Sequence, residues 1–117
     1  MNAASRSVYY FGFYLLATGV TLTVFPNTLL SIVGMPEATE VWIHILGAIV
    51  FMIGLYYVFM APANHALFLT LTVYARCAVF VWFLVFVLIG MAPVQLMLFG
   101  SVDLIGAIWT YTALRKA

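Results

Sequence analysis

Four long runs of apolar residues, separated by short polar joints, take up nearly the whole chain. The first is 8–25, VYYFGFYLLATGVTLTVF, which stops at Pro26, and the residue before a proline is biased away from helical geometry. The second is 41–60, VWIHILGAIVFMIGLYYVFM, the third is 66–90, ALFLTLTVYARCAVFVWFLVFVLIG, and the fourth is approximately 94–114. Each compares with the ~20 apolar residues that cross a hydrocarbon core roughly 30 Å thick. Between the first two lies 26–40, PNTLLSIVGMPEATE. Asn27 or Thr28 can cap a short helix over approximately 27–34, Gly34 can end it, and Pro36 prevents its continuation. Leu29, Leu30, Ile32, Val33 and Met35 make this segment too apolar for a free loop, so it is expected at the membrane interface or tucked against the bundle.

The joints at 61–65 and around 91–93 are short, which predicts antiparallel neighbours for spans two and three and for spans three and four. The predicted fold is all-α: a four-transmembrane-helix antiparallel bundle with a short interfacial helix between spans 1 and 2. Residues 1–117 form a single integral membrane domain in this reading.

Composition moves the same way. The chain is 68% hydrophobic and 6% charged, against about 25% charged residues in a soluble domain. A net charge of +1 with no basic stripe argues against nucleic acid. The single cysteine, Cys77, excludes an internal disulfide and any paired-cysteine metal or redox motif. After Arg6 the apolar run continues without a small-residue cleavage pattern, so the first span is expected to be retained. Arg6, Arg115 and Lys116 fall on the side of both termini, and Glu37 and Glu40 on the other. The positive-inside rule then predicts cytoplasmic termini.

Arg76, inside the third span, is where chemistry is first expected. An arginine at the centre of a spanning helix costs on the order of 2.5–3.5 kcal/mol on insertion scales, so it needs a partner. Counting along the helices places Arg76 about 15 Å from Ala66 and Asp103 about 16 Å from Leu114, on antiparallel neighbours. These are the only full charges inside the predicted spans, and they have opposite signs. A structural ion pair between Arg76 and Asp103 is the economical expectation. Phe99, Gly100, Gly106 and Ala107 surround Asp103 at one-turn spacing, with Thr110 two turns on, which marks an inward face. Thr72, one turn before Arg76, can accept a second guanidinium hydrogen bond.

An arginine has five donors, more than one aspartate can satisfy. The surplus leaves two readings open: a clasp alone, or a site for an anionic or carbonyl-bearing ligand formed by His44, Arg76, Asp103, Thr72 and Thr110. His44 shares a helix face with Gly47, Phe51 and Gly54 and stands roughly 9 Å outward of the pair by the same counting. It reads either as a histidine bonded to a neighbouring carbonyl or hydroxyl, or as a proton-handling group beside a pocket. No metal site is expected, because His65 lies on the opposite side and no carboxylate or thiol stands at ligand spacing. Gly12 with Gly19, and Gly47 with Gly54, are seven apart on their helices; the spacing suits a packing groove or room for a flat ligand. No nucleophile elbow, phosphate loop, HExxH or c-type haem motif is present, and no catalytic residue is assigned.

The segments FPNTLLSIVGMP, WIHILGAIVFMIGLYY, VYARCAVF and VDLIGAIWT together resemble the DoxX-like group of small bacterial four-helix membrane proteins. The resemblance implies a multi-pass protein of the bacterial inner membrane. It also implies association with quinone-linked oxidoreductases as a membrane subunit, hence a protein partner and a quinone. The residues themselves support the fold and not that activity. Three functional readings remain: an accessory subunit that holds a quinone-like or lipid-like molecule, a small homodimeric transporter, and a membrane enzyme using His44 as acid or base. The lipid bilayer is the expected surrounding in all three.

Overall fold

The computed structural model describes residues 1–116. Five helices follow one another: α1 (Ala3–Val24), α2 (Pro26–Ile32), α3 (Trp42–Met60), α4 (Ala66–Leu88) and α5 (Leu96–Lys116). A 3-10 turn, Ala61–Ala63, joins α3 to α4, and no strand occurs among the described residues. α1, α4 and α5 and the stretch Trp42–Ala63 are all long and apolar enough to cross a membrane. α1 begins and α5 ends at one end of the bundle, here the terminal end; α2 and the following loop lie at the distal end.

Helix boundaries differ from the hydrophobic pattern where polar side chains act locally. α1 starts five residues before the apolar run, because the Asn2 side chain accepts a hydrogen bond from the Ser5 N–H at 2.8 Å and caps the first turn. Asn27 does not cap α2. That helix starts at Pro26, which lacks the N–H that would be left unpaired there. Asn27 instead grips the distal loop, accepting from the Ala38 N–H at 2.7 Å and donating to its carbonyl at 3.0 Å. Gly34 does end α2, with φ at 78°, while the Met35 N–H returns to the Leu30 carbonyl at 2.8 Å.

α1 is the central element, packed along α3 on one side and α5 on the other, while α4 packs on α5. The α1–α3 seam is built on glycine. A Cβ added at Gly19 would stand 2.5 Å from the Phe51 nitrogen, and one at Gly47 would stand 2.5 Å from the Thr23 nitrogen. Gly12 lies against Val58, and Gly54 against Leu16. Positions 12, 16, 19 and 23 thus meet 58, 54, 51 and 47 in one antiparallel register. Backbone-to-backbone contact of this kind needs small residues, since lipid supplies no hydrophobic force between helices. The glycine stripe is a packing seam, with no room for a flat ligand.

This seam corrects one expectation. Spans two and three, α3 and α4, are joined by a short turn yet are not packed neighbours along their length. They touch near the terminal end, where Tyr57 and Phe68 meet edge to face with ring centres 5.9 Å apart. Beyond that contact the glycines hold α3 on α1, α5 holds α4, and the two helices part. Phe59, Leu88 and Tyr74 are about 70% or more exposed, whereas Ser5, Ser7, Thr72, Arg76 and Thr110 are buried. An apolar exterior around a partly polar interior is the arrangement a bilayer favours.

Candidate functional site

The two ends of the bundle carry different polar features. In the terminal half, Ala4, Val8, Phe11, Tyr57, Ala61 and Leu69 form the hydrophobic core. Arg76 lies among them with only 2% of its surface exposed. Its Nε donates to the Thr72 carbonyl at 3.1 Å, and its Nη2 donates to the Thr72 hydroxyl at 3.2 Å and to the Thr110 hydroxyl at 2.8 Å. The guanidinium carbon stands 4.8 Å from the Phe11 ring centre and 5.8 Å from that of Tyr57, within the range of cation–π attraction.

From Thr110 the hydrogen bonds continue. Its hydroxyl lies 2.6 Å from that of Ser7, and Ser7 donates to the Ala4 carbonyl at 2.7 Å. Because the Ser7 proton is committed to Ala4, Thr110 is the donor to Ser7. The chain Arg76–Thr110–Ser7–Ala4 therefore runs in one sense across α4, α5 and α1. Each hydroxyl in it is polarised by the one before, so the positive charge is spread toward a backbone carbonyl. Ser7 had no place in the sequence reading, since it precedes the apolar run. The signal that could have found it is its position one turn inside a helix capped by Asn2.

The expected ion pair is not made. All of the Arg76 hydrogen bonds go to threonine, and its Nη1 has no partner, so none reaches Asp103. The physical reason is side-chain direction. In a helix the Cα–Cβ bond tilts toward the N-terminus. α4 begins at the terminal end and α5 at the distal end, so side chains at equal depth on the two helices are thrown in opposite directions. Arg76 folds back one turn onto Thr72 and makes no hydrogen bond to Asp103. Gly106 admits this crowding: a Cβ there would stand 2.7 Å from the Phe11 ring and 2.9 Å from Nη1 of Arg76.

Asp103 belongs instead to a cavity of about 690 Å³ in the distal half, where α3 and α4 part. α1 contributes Tyr14, Thr18 and Leu22 to its wall, α3 contributes Trp42, Ile43, Leu46 and Val50, and α4 contributes Phe83 and Phe86. Asp103 and Phe99 of α5 lie on its inner side, and Met35 to Glu40 of the distal loop border it. Ser7 and Phe11 face Thr110 and Gly106 across the α1–α5 contact. The same antiparallel stepping brings Tyr14 across from Asp103. Asp103 lies roughly 10 Å in from the distal start of α5 at 1.5 Å per residue. Its carboxylate receives no hydrogen bond from the protein among the described residues.

The sequence-derived site is thus divided. Arg76, Thr72 and Thr110 are brought together; Asp103 is in the cavity; His44 is in neither place. His44 is exposed on the α1–α3 seam, with Nδ1 2.6 Å from the Thr23 carbonyl. Thr23 lies opposite Gly47, one turn farther along α3. The bond is the plain reading of this histidine, and the reading that set it above Arg76 in a shared pocket is corrected. Among the described residues no group of three or more histidine, cysteine or acidic side chains is placed to hold a metal ion.

These features define a multi-pass α-helical membrane protein with an intramembrane cavity separate from its buried arginine. Comparison with known protein families, curated proteins and solved structures finds no match to the chain.

Proposed function

We propose that the protein is a small accessory subunit of the bacterial inner membrane, with both termini in the cytoplasm, which holds a lipophilic molecule in its distal cavity. The observation that carries this reading is the cavity itself, about 690 Å³, largely apolar and aromatic, with one unbonded carboxylate on its inner side. Protein interiors are normally close-packed, with few voids larger than a water molecule. Ligand sites, by contrast, occupy about 300–1,000 Å³ and combine apolar walls with a few placed polar groups. Such a volume suits the head of a quinone-like or lipid-like molecule with part of its tail. The resemblance to DoxX-like proteins supports the accessory role, and Arg6, Arg115 and Lys116 at the terminal end support the orientation. The exposed apolar surface of the helices is available to a partner subunit or to a second copy.

Extraction and mass spectrometry of protein purified in mild detergent test the reading. One lipophile is expected to co-purify at a fixed ratio to the chain and to be lost when Val50→Trp fills the cavity. Equal lipid content in both proteins, with nothing enriched over the surrounding membrane, would overturn it.

One observation favours a second reading, the homodimeric carrier. A proton-coupled carrier needs a carboxylate that exchanges a proton for substrate, and Asp103 is not hydrogen-bonded to Arg76. Flux driven by a proton gradient in proteoliposomes, abolished by Asp103→Asn, would replace the accessory reading with this one.

A further inference from the structure

The charge bordering the distal cavity has one sign. Glu37 and Glu40 stand at its rim and Asp103 on its inner side, and these are all three acidic residues of the chain. None of the four lysine and arginine residues lines it. Arg76 gives its hydrogen bonds to threonines outside the cavity wall and keeps Nη1 unbonded, and Arg6, Arg115 and Lys116 lie toward the terminal end. Between rim and floor the wall carries the rings of Tyr14, Trp42, Phe83, Phe86 and Phe99.

We propose that the distal cavity is a binding site for a lipophilic organic cation, whose charge rests against Asp103 among these aromatic rings. The inference rests on the ligand-holding reading above and narrows it. Aromatic faces attract cations, and desolvated quaternary ammonium groups are held in aromatic cages. A carboxylate inside a low-dielectric wall attracts an opposite charge far more strongly than it would in water. Glu37 and Glu40 at the mouth add a field that raises the local concentration of cations and their rate of arrival. A quinone brings only carbonyl acceptors, which meet a carboxylate acceptor at the floor. An anion meets three carboxylates, and Arg76, the one cation whose field reaches Asp103, stands outside the cavity wall. The sequence had suggested an anionic or carbonyl-bearing ligand on the strength of Arg76; the placement of Arg76 outside the cavity wall reverses the sign.

Tetraphenylphosphonium and tetraphenylborate, nearly equal in shape and opposite in charge, separate these cases. Binding of each to the full chain in neutral detergent micelles is measured by equilibrium dialysis against empty micelles. Saturable phosphonium binding is expected, at least about tenfold tighter than that of the borate. Asp103→Asn is expected to weaken it by about tenfold. The exposed pair change Glu37→Gln with Glu40→Gln, which keeps an amide oxygen to accept from Asn27 Nδ2 at position 37, is expected to slow association at low salt and to have no effect at high salt. Borate binding as tight as phosphonium binding, or phosphonium binding unmoved by a folded Asp103→Asn chain, overturns the proposal. If that variant does not fold, the comparison of the two ions on the unaltered chain decides alone. Saturable binding of the borate or of decylubiquinone without the phosphonium removes the cation proposal and leaves the ligand-holding reading intact. Absence of binding by every probe, with no co-purifying lipophile, removes both.

Discussion

The terminal and distal halves of this bundle are built from the same four helices and treat charge in opposite ways. In the terminal half a cation is buried with no anion bonded to it; hydroxyls and a carbonyl take its Nε and Nη2, two rings face it, and Nη1 is left without a partner. In the distal half an anion borders an open cavity and receives no hydrogen bond among the described residues. The difference teaches that intramembrane charge can be made tolerable by dispersal as well as by pairing. Burying a charge is costly unless hydrogen bonds compensate it. Arg76 meets that condition at Nε and Nη2, through the Thr72 carbonyl and the hydroxyls of Thr72 and Thr110, with Nη1 alone unbonded, and its half is closed. Asp103 does not, and its half is open.

The contrast can be broken at several points. The seam shared by both halves is the most sensitive. Gly19→Leu forces a side chain into the Phe51 backbone and is expected to cost more than about 3 kcal/mol, or to prevent folding, in detergent unfolding titrations. Next comes the closed half alone. Thr110→Val removes the acceptor of Arg76 Nη2 and the donor to Ser7, so a loss of about 2 kcal/mol is expected in the same titration. Asp103→Asn should be milder, under about 1 kcal/mol, because no protein hydrogen bond is lost. A loss as large as that of Thr110→Val would show that the distal carboxylate is structural after all. The smallest effect sharpens the comparison furthest. In a double-mutant cycle, Arg76→Gln and Asp103→Asn should couple by no more than about 1 kcal/mol, because a through-space attraction joins them and no hydrogen bond does. A coupling several times larger would restore the ion pair.

The span pattern, the end of α2 at Gly34 and the glycine faces of α1 and α3 could all be read from the sequence, because each follows from local periodicity or from a residue with one structural use. The pairing of Arg76 could not be read from depth. Counting at 1.5 Å per residue locates Cα atoms, whereas a guanidinium ends several bonds away in a direction set by the sense of its helix. Thr72 and Thr110 were visible as neighbours of the two charges, but that both serve the arginine emerged only from that direction. The cavity was hidden for another reason. It exists because α3 follows its glycines to α1 while α4 follows α5, a splay that loop length does not encode. His44 shared a face with Gly47 and still found its partner locally, in the carbonyl of Thr23.

The bond between Ser7 and Thr110 joins residues 103 positions apart. A ribosome adding about 5–20 residues per second needs roughly 5–20 s to make the intervening chain. During that interval α1 and α3 can already zip along their glycines, while Arg76 enters the bilayer with only Thr72 to bond. Its second hydroxyl arrives with the last helix. Insertion of α4 and α5 as one hairpin is then the route that never strands the arginine, and truncation before Thr110 should leave α4 the segment that is slowest to commit to the membrane.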